Sequence, residues 1–256
     1  MRAKEVIETL EREFPSFLSE DWDNNGLQLG PFDEEIKGIA IALNPSLLSI
    51  RYALENGFNF LLTHHPLLFS GLKKVDISTS IGQVISLAVS GRVTIYSLHT
   101  PWDSAVGGGN DYWADLLGLK NRLPLLPIRE DPKAGIGRVG EIDGSSFYDV
   151  VSFLRKEVNF LIPVFSGRER IYKIAVCTGS GGDLLERTIS MGVDLYITAD
   201  LKYHQVLNAR DAGLNLIVLS HHEMEEKTLS YLKDRVKKLF SGLKLEVLRE
   251  EDPFSR

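Results

Sequence analysis

With 256 residues, 43% of them hydrophobic and 25% charged, the chain has an ordinary globular composition and is long enough for one large domain or two small ones. Its net charge of -6 argues against a general grip on nucleic acid, which rests on Lys and Arg neutralising phosphates, and its one cysteine, Cys177, permits no internal disulfide. No apolar run reaches the ~18 residues that span a bilayer and the charged start has no signal-peptide core, so the expected location is cytoplasmic, with no membrane partner.

The chain opens on apolar residues at helical spacing, Val6, Ile7, Leu10 and Phe14, with Pro15 stopping the pattern. Asp21-Trp22-Asp23-Asn24-Asn25-Gly26-Leu27-Gln28-Leu29-Gly30 is turn-rich, and reads either as a hairpin joining two short strands or as a polar loop over a pocket. From Gly38 the pattern becomes strand, helix, strand, helix, strand. The strands are Gly38–Leu43, Phe58–Thr63 and Val93–Leu98, continuous apolar runs of the kind found in sheets covered on both faces. The helices run near 46–55 and 81–89. Gly107-Gly108-Gly109-Asn110 lacks the Lys-Ser/Thr of a phosphate loop and reads as a helix entry with some potential to touch a ligand. Between Lys120 and Ser166 the density of Pro and Gly rises, which predicts a linker over about 123–145 between a first subdomain, 1–122, and a second, 146–256. A helix over about 146–158 follows, and the strand-helix rhythm restarts at Ile171. Cys177 lies inside one of these apolar strands and reads as core.

The restart is a repeat. Ala40-Ile41-Ala42 matches Ala175-Val176-Cys177 at an offset of 135, which also carries Gly57 to Gly192, Asn59 to Asp194 and Thr63 to Thr198. Further on the offset becomes 122, carrying Gln83-Val84 to Gln205-Val206, Gly91 to Gly213, His99 to His221 and Asp103 to Glu225. The fold class expected is therefore α/β, with two similar α/β subdomains related by an internal pseudo-repeat and a metal site in the cleft between them.

The metal expectation comes from where the apolar runs stop. One ends at His64-His65, another at His99 with Asp103 beyond it, and a third at His221-His222 with Glu223, Glu225 and Glu226; the sixth histidine, His204, follows the run that ends at Asp200. Strand ends above an α/β sheet are where such sheets usually place their chemistry. His99-x-x-x-Asp103 and His221-x-x-x-Glu225 are equivalent under the repeat, and His64-His65 completes the set. Imidazole and carboxylate suit Zn, Fe, Mn, Co or Ni. Five or six such ligands exceed what one ion needs, so two divalent ions per chain are expected, with an activated water as nucleophile. His204 and His222 have a plainer reading as hydrogen-bonded structural residues. Spacing alone also allows His222 with Glu226, and the repeat offset selects His221 with Glu225.

Taken together, Trp22-Asp-Asn-x-Gly26-Leu-Gln, Thr63-His-His-Pro66, His99-Thr-x-x-Asp103 with Gly-Gly-Asn-Asp after it, Gly137-Arg-Val-Gly140 and Ser220-His-His-Glu-Met-Glu225 resemble the GTP cyclohydrolase I type 2-like family, also called NGG-interacting-factor-three-like. The resemblance covers nearly the whole chain. It implies a two-subdomain α/β fold, a toroidal homohexamer, and a dinuclear metal site whose ligands fall on His64, His65, Asp103, His221 and Glu225, with His99 beside the metals. It departs from the family at Ser220 and Met224, where many members have Gly and Ser/Thr, and the linker has no room for the extra domain of longer members. The function it implies is a metal-dependent hydrolase acting on a nucleotide-type substrate, such as GTP by the family label. The alternative is a non-catalytic metal-handling or assembly protein. DNA encirclement by the ring is disfavoured by the acidic balance.

Overall fold

A computed structural model describes residues 1–254. The chain divides into two compact units, the first formed by Met1–Trp102 together with the chain from Leu229 onward, the second by Asp103–Thr228. In order, the first unit contains α1 (Ala3–Glu13), β1 (Gly26–Leu29), β2 (Gly38–Ala42), α2 (Leu47–Glu55), β3 (Phe60–Thr63), α3 (Ser80–Ser90) and β4 (Thr94–Ser97), and α4 (Thr100–Ser104) runs across the boundary. The second contains α5 (Gly109–Leu116), β5 (Lys120–Pro127), β6 (Gly135–Ser146), α6 (Phe147–Glu157), β7 (Leu161–Val164), β8 (Arg170–Ser180), α7 (Leu185–Ser190), β9 (Leu195–Ala199), α8 (Tyr203–Asp211), β10 (Asn215–Leu219) and α9 (His221–Glu226). α10 (Leu229–Leu239) and β11 (Lys244–Val247) return to the first unit.

Each unit is built on one sheet. In the first the strand order is β1-β4-β3-β2-β11, with β1 antiparallel to β4 and the other pairs parallel. β2, β3 and β4 are buried along their whole length, as strands covered on both faces must be. Ala40, Leu61 and Ile95 pack on one face with Ile50 and Ala53 of α2 and Val84 and Ala88 of α3. Ser46 starts α2 by accepting from the Ser49 amide, and Thr79 starts α3 by accepting from Gly82.

The second sheet has the order β5-β6-β8-β9-β10-β7, with β8, β9 and β10 parallel and the rest antiparallel. Alternate residues of β8 part to its two faces. Ile174 and Val176 join Trp113, Phe147 and Leu154, whereas Ala175 and Cys177 join Leu185, Tyr196 and Ala209. The repeat is present as strand register: Ile39 pairs with Phe60 in the first unit and Ile174 with Leu195 in the second, both members displaced by 135. On the next strand the register slips by one residue, Phe60 pairing with Thr94 but Leu195 with Asn215 rather than Leu216.

The structure differs from the sequence expectation in two places and decides between two readings in a third. The expected linker at 123–145 is instead the greater part of β5 and β6. Its prolines, Pro124 and Pro127, lie in β5, an edge strand where a missing amide costs least. Its glycines permit close pairing: at Gly135, φ +144°, a Cβ would stand 2.0 Å from the Leu126 carbonyl oxygen. The C-terminal segment leaves the second half of the sequence and adds β11 alongside β2. At the stretch around Gly26, for which the sequence left a hairpin and a polar loop open, a loop leads into β1 against β4 and no hairpin of two short strands forms.

One buried ion pair holds the middle of the second unit. The Arg138 side chain, 2% exposed, donates from Nε and Nη2 to Asp111 at 3.0 and 2.8 Å, and to the carbonyls of Gly135, Gly137 and Ala105 at 2.6, 2.8 and 2.9 Å. Gly137-Arg-Val-Gly140 and the Asp of Gly-Gly-Asn-Asp are thus two halves of one clamp. Substituting Arg138→Met leaves the buried Asp111 with only Arg122 at 3.4 Å and the Gly107 amide at 2.7 Å, and is expected to lower unfolding free energy by about 3 kcal/mol in urea titration. Asp111→Leu placed in the same variant should recover much of that loss.

Candidate metal centre

In the first unit the end of β3 delivers two adjacent histidines. The ladder continues past the strand, the His64 amide donating to Ala42 and the His65 amide to Leu43, at 3.1 and 3.0 Å. Thr63 Oγ1 donates to the His65 carbonyl at 2.8 Å and Ser97 Oγ to that of His64 at 2.8 Å, which fixes the backbone where side-chain alternation would otherwise part the pair. The two rings are 5.1 Å apart, and His99 from the end of β4 lies 5.1 Å from His64 and 5.6 Å from His65. One ring nitrogen from each of the three falls within 4.8 Å of the others.

Each of these rings has an acceptor on Nδ1. His64 meets the Leu98 carbonyl at 3.2 Å, His65 the Asn44 Oδ1 at 2.8 Å and His99 the Asp23 carboxylate at 2.8 Å. An acceptor there assigns the proton to Nδ1 and the lone pair to Nε2, the form that binds metal. Asn44 is set by Glu250, which accepts from its backbone amide at 2.9 Å. Asp23 also accepts from the Thr100 amide and hydroxyl at 3.1 and 2.6 Å. Burial pushes its carboxyl pKa up, but the hydrogen bonds from His99 and Thr100 and the His99 charge outweigh burial and hold it below the usual range.

The second unit arranges the carboxylates. Asp103 is 8% exposed and accepts from Thr178 Oγ1 at 3.0 Å. Asn110 ties the two together, donating to the Asp103 carbonyl at 3.0 Å and accepting from the Thr178 amide at 2.9 Å. The next residue, Gly179, has φ +64°, and a Cβ there would stand 2.4 Å from Glu225 Oε1. Thr178-Gly179 therefore borders both Asp103 and Glu225. α9 starts on Ser220, whose hydroxyl accepts from the Glu223 amide at 3.2 Å, so the serine at that motif position is the helix cap. His221 and Glu225 lie one turn apart, with Nε2 to Oε1 at 2.9 Å, and Asp200 holds Nδ1 at 2.5 Å. Asp200 has φ +52°, an uncommon conformation for a residue other than glycine.

The structure thus groups His64, His65 and His99 in the first unit, and His221 with Glu225 in the second, with Asp103 across Thr178-Gly179. Glu225 is 4% exposed and lies against His221, whereas Glu226 is half-buried. Glu223 turns the other way and accepts from the amides of Asn159 and Phe160. His204 is exposed and His222 half-buried. Burial, and then the Asp103 charge, push the Cys177 thiol up to about 12, which agrees with a core residue. Sequence reading gave no role to Asp23, Asn44, Thr178, Gly179 or Asp200. Asp200 had a signal, because it ends an apolar run as the histidines do; Thr178-Gly179 had none.

The family model described as Duf34/NIF3 (NGG1p interacting factor 3) matches residues 1–253. A protein of Clostridium perfringens named GTP cyclohydrolase 1 type 2 homolog is 33% identical, with 99% of each chain covered, and one of the same name from Methanocaldococcus jannaschii is 33% identical over 97% of this chain and 98% of its own. Among solved structures, a Bacillus cereus protein related to NIF3 superposes with a TM-score of 0.92 at 19% identity, covering 100% of this chain and 99% of that one. Reduced HcgD from Methanocaldococcus jannaschii gives 0.83 at 34% identity, covering 96% of each.

Burial pulls the His221 pKa down, but hydrogen bonds and charge from Glu225 and Asp200 outweigh it and raise it from 6.5 to about 9. A pKa raised by folding contributes stability that is complete below the unfolded value and fades as pH rises through the folded one. In metal-stripped protein the His221 ring proton signals are expected to titrate near pH 9, and Asp200→Asn should bring the midpoint down. Titration of the metal-stripped wild type at or below 6.5 would contradict this account of the pair.

Proposed function

Since the chain belongs to the Duf34/NIF3 family, we propose that His64, His65, Asp103, His221 and Glu225 hold two divalent ions, and that the protein is a metal-dependent hydrolase acting on a nucleotide-type substrate. The observation that carries this reading is the uniform treatment of the histidines. His64, His65, His99 and His221 each meet an acceptor at Nδ1, a carbonyl, an amide oxygen or a carboxylate, which leaves Nε2 as the atom for a ligand, in His221 the atom that meets Glu225. Nitrogen and carboxylate oxygen without thiolate suit Zn, Fe, Mn, Co or Ni in an open site better than a closed structural one. Such ions, when bound, supply Lewis acidity at a substrate oxygen and make water a competent nucleophile at neutral pH.

The chain's own residues divide the remaining work. Thr178 holds one oxygen of the Asp103 carboxylate and Asn110 holds the Asp103 carbonyl, which together restrict the rotamers that Asp103 can adopt. Gly179 leaves room for Glu225. His99, braced by Asp23, stands beside the His64-His65 pair as a group that holds or moves a proton, and we do not count it among the five ligands. The names of the relatives make a guanine nucleotide the first substrate to test. Following the family resemblance, we also place the protein in the cytoplasm as a toroidal homohexamer.

Elemental analysis of reconstituted protein is expected to give close to two ions per chain, and no more than trace metal would overturn the reading. Turnover of a nucleotide panel should be present in metal-loaded wild type and lost in Asp103→Asn. Full metal loading with no turnover would transfer the site to metal handling or assembly. Calorimetric titration should show Glu225→Gln losing at least one ion per chain with ~10-fold or greater loss of affinity, since even residues behind the ligands can cost that much. Glu226→Gln should bind as wild type; the reverse pattern would make His222 and Glu226 the ligands.

A further inference from the structure

Of the three tryptophans, Trp102 and Trp113 are fully buried, whereas Trp22 is 64% exposed, and in the loop after His65 the Phe69 ring is 58% exposed. Burying such a ring is among the larger gains open to a side chain, so two that stay in solvent beside a polar cluster call for a reason. Both flank His99. The Trp22 and Phe69 rings each lie 5.7 Å from its imidazole, at 77° and 88° to it, and Phe69 is 6.3 Å from His65.

Neither ring hangs on a loose loop. Asp23, next to Trp22, is fixed by His99 and Thr100, and on the other side the Glu20 amide donates to Thr100 Oγ1 at 3.0 Å. Asn24 Nδ2 donates to the Leu68 carbonyl, and Gln28 Oε1 accepts from the Leu68 amide at 3.2 Å. Gln28 Nε2 closes the loop on itself by donating to the Asn24 carbonyl at 2.7 Å. Asp23, Asn24 and Gln28 of the Trp-Asp-Asn-x-Gly-Leu-Gln stretch are thus consumed in anchoring the residue beside each ring. What the anchoring leaves over is a pair of aromatic faces at the rim of the histidine cluster.

We propose that Trp22 and Phe69 form a stacking subsite for the planar heteroaromatic part of the substrate. The inference rests on the reading that His64 and His65 belong to the reacting centre, because only then does a ligand engaged there bring its remaining body past His99. Flat π-systems are what exposed aromatic rings recognise, with little demand on the identity of the ring. A sugar or an aliphatic acid gains much less from such faces. The subsite therefore selects for a nucleobase-like moiety and leaves discrimination among bases to other groups.

The test uses metal-loaded, full-length protein and reads binding, so it stands apart from any test of turnover. The probe is guanosine 5′-monophosphate, with ribose 5-phosphate as the control that lacks the ring. With two of three tryptophans buried, acrylamide should quench a fluorescence component that disappears in Trp22→Phe, and the nucleotide should protect that component. By calorimetry, Trp22→Ala and Phe69→Ala should each weaken nucleotide binding roughly 5- to 150-fold, the range for loss of one base stack, while Trp22→Phe retains most of it and metal content is unchanged in all. The proposal is overturned if acrylamide fails to reach Trp22 in ligand-free protein, since another chain then covers the ring. It is also overturned if the nucleotide fails to bind, if both alanine variants bind it as wild type does, or if ribose 5-phosphate binds as well. Stacking without turnover would refute the hydrolase and keep the subsite.

Discussion

A neutral histidine carries its proton on one ring nitrogen and its lone pair on the other, and a fixed acceptor at one of them decides which is which and how the ring is aimed. In this protein that constraint reaches far beyond the site. The acceptors for His64, His65, His99 and His221 come from the β4 end, the loop after β2, the loop before β1 and the loop after β9. Two of these acceptors are themselves held, Asn44 by Glu250 and Asp23 by Thr100. Much of the loop structure at the strand ends can be understood as the means of keeping these acceptors in place.

The pairing of strands β2-β3-β4 and β8-β9-β10 repeats this logic. Parallel strands buried on both faces put their charged chemistry at the ends, because a charge is costly to bury along them. The two repeats differ in what they deliver. At the end of β3 the first unit places His64 and His65, whereas at the matching position of β9 the second places Asp200, which orients His221. The one-residue slip between Leu195 and Asn215 shows that the copies have diverged in strand geometry as well as in cargo.

The apolar strand runs, the histidines that end them and the offsets of 135 and 122 made the α/β character legible in the sequence and singled out six candidate positions for a site. Local composition misled where long-range pairing overrides it. Pro124, Pro127, Gly135 and Gly137 have the punctuation of a linker, yet the prolines are tolerated at a sheet edge and the glycines let β5 and β6 approach closely. The return of β11 to β2 left no local mark, since a parallel edge strand is recognised by its partner and not by its own residues. Thr178 and Gly179 were invisible for the same reason: their work is done on side chains 75 and 46 positions away, Asp103 and Glu225.

The way the first unit is assembled from two stretches of chain bears on the order of folding. Asp103–Thr228 is continuous and holds all six strands of its sheet, so it can complete its core as soon as it leaves the ribosome. The first unit cannot. Its strand β2 emerges early with one edge open, and that edge waits through the synthesis of the whole inserted unit for β11. An unpaired strand edge of this kind, flanked by Ile39 and Ile41, is a template for wrong partners. The nascent protein is therefore most exposed to chaperones, and to mispairing with a neighbouring copy, not at the histidine cluster but along the outer edge of β2.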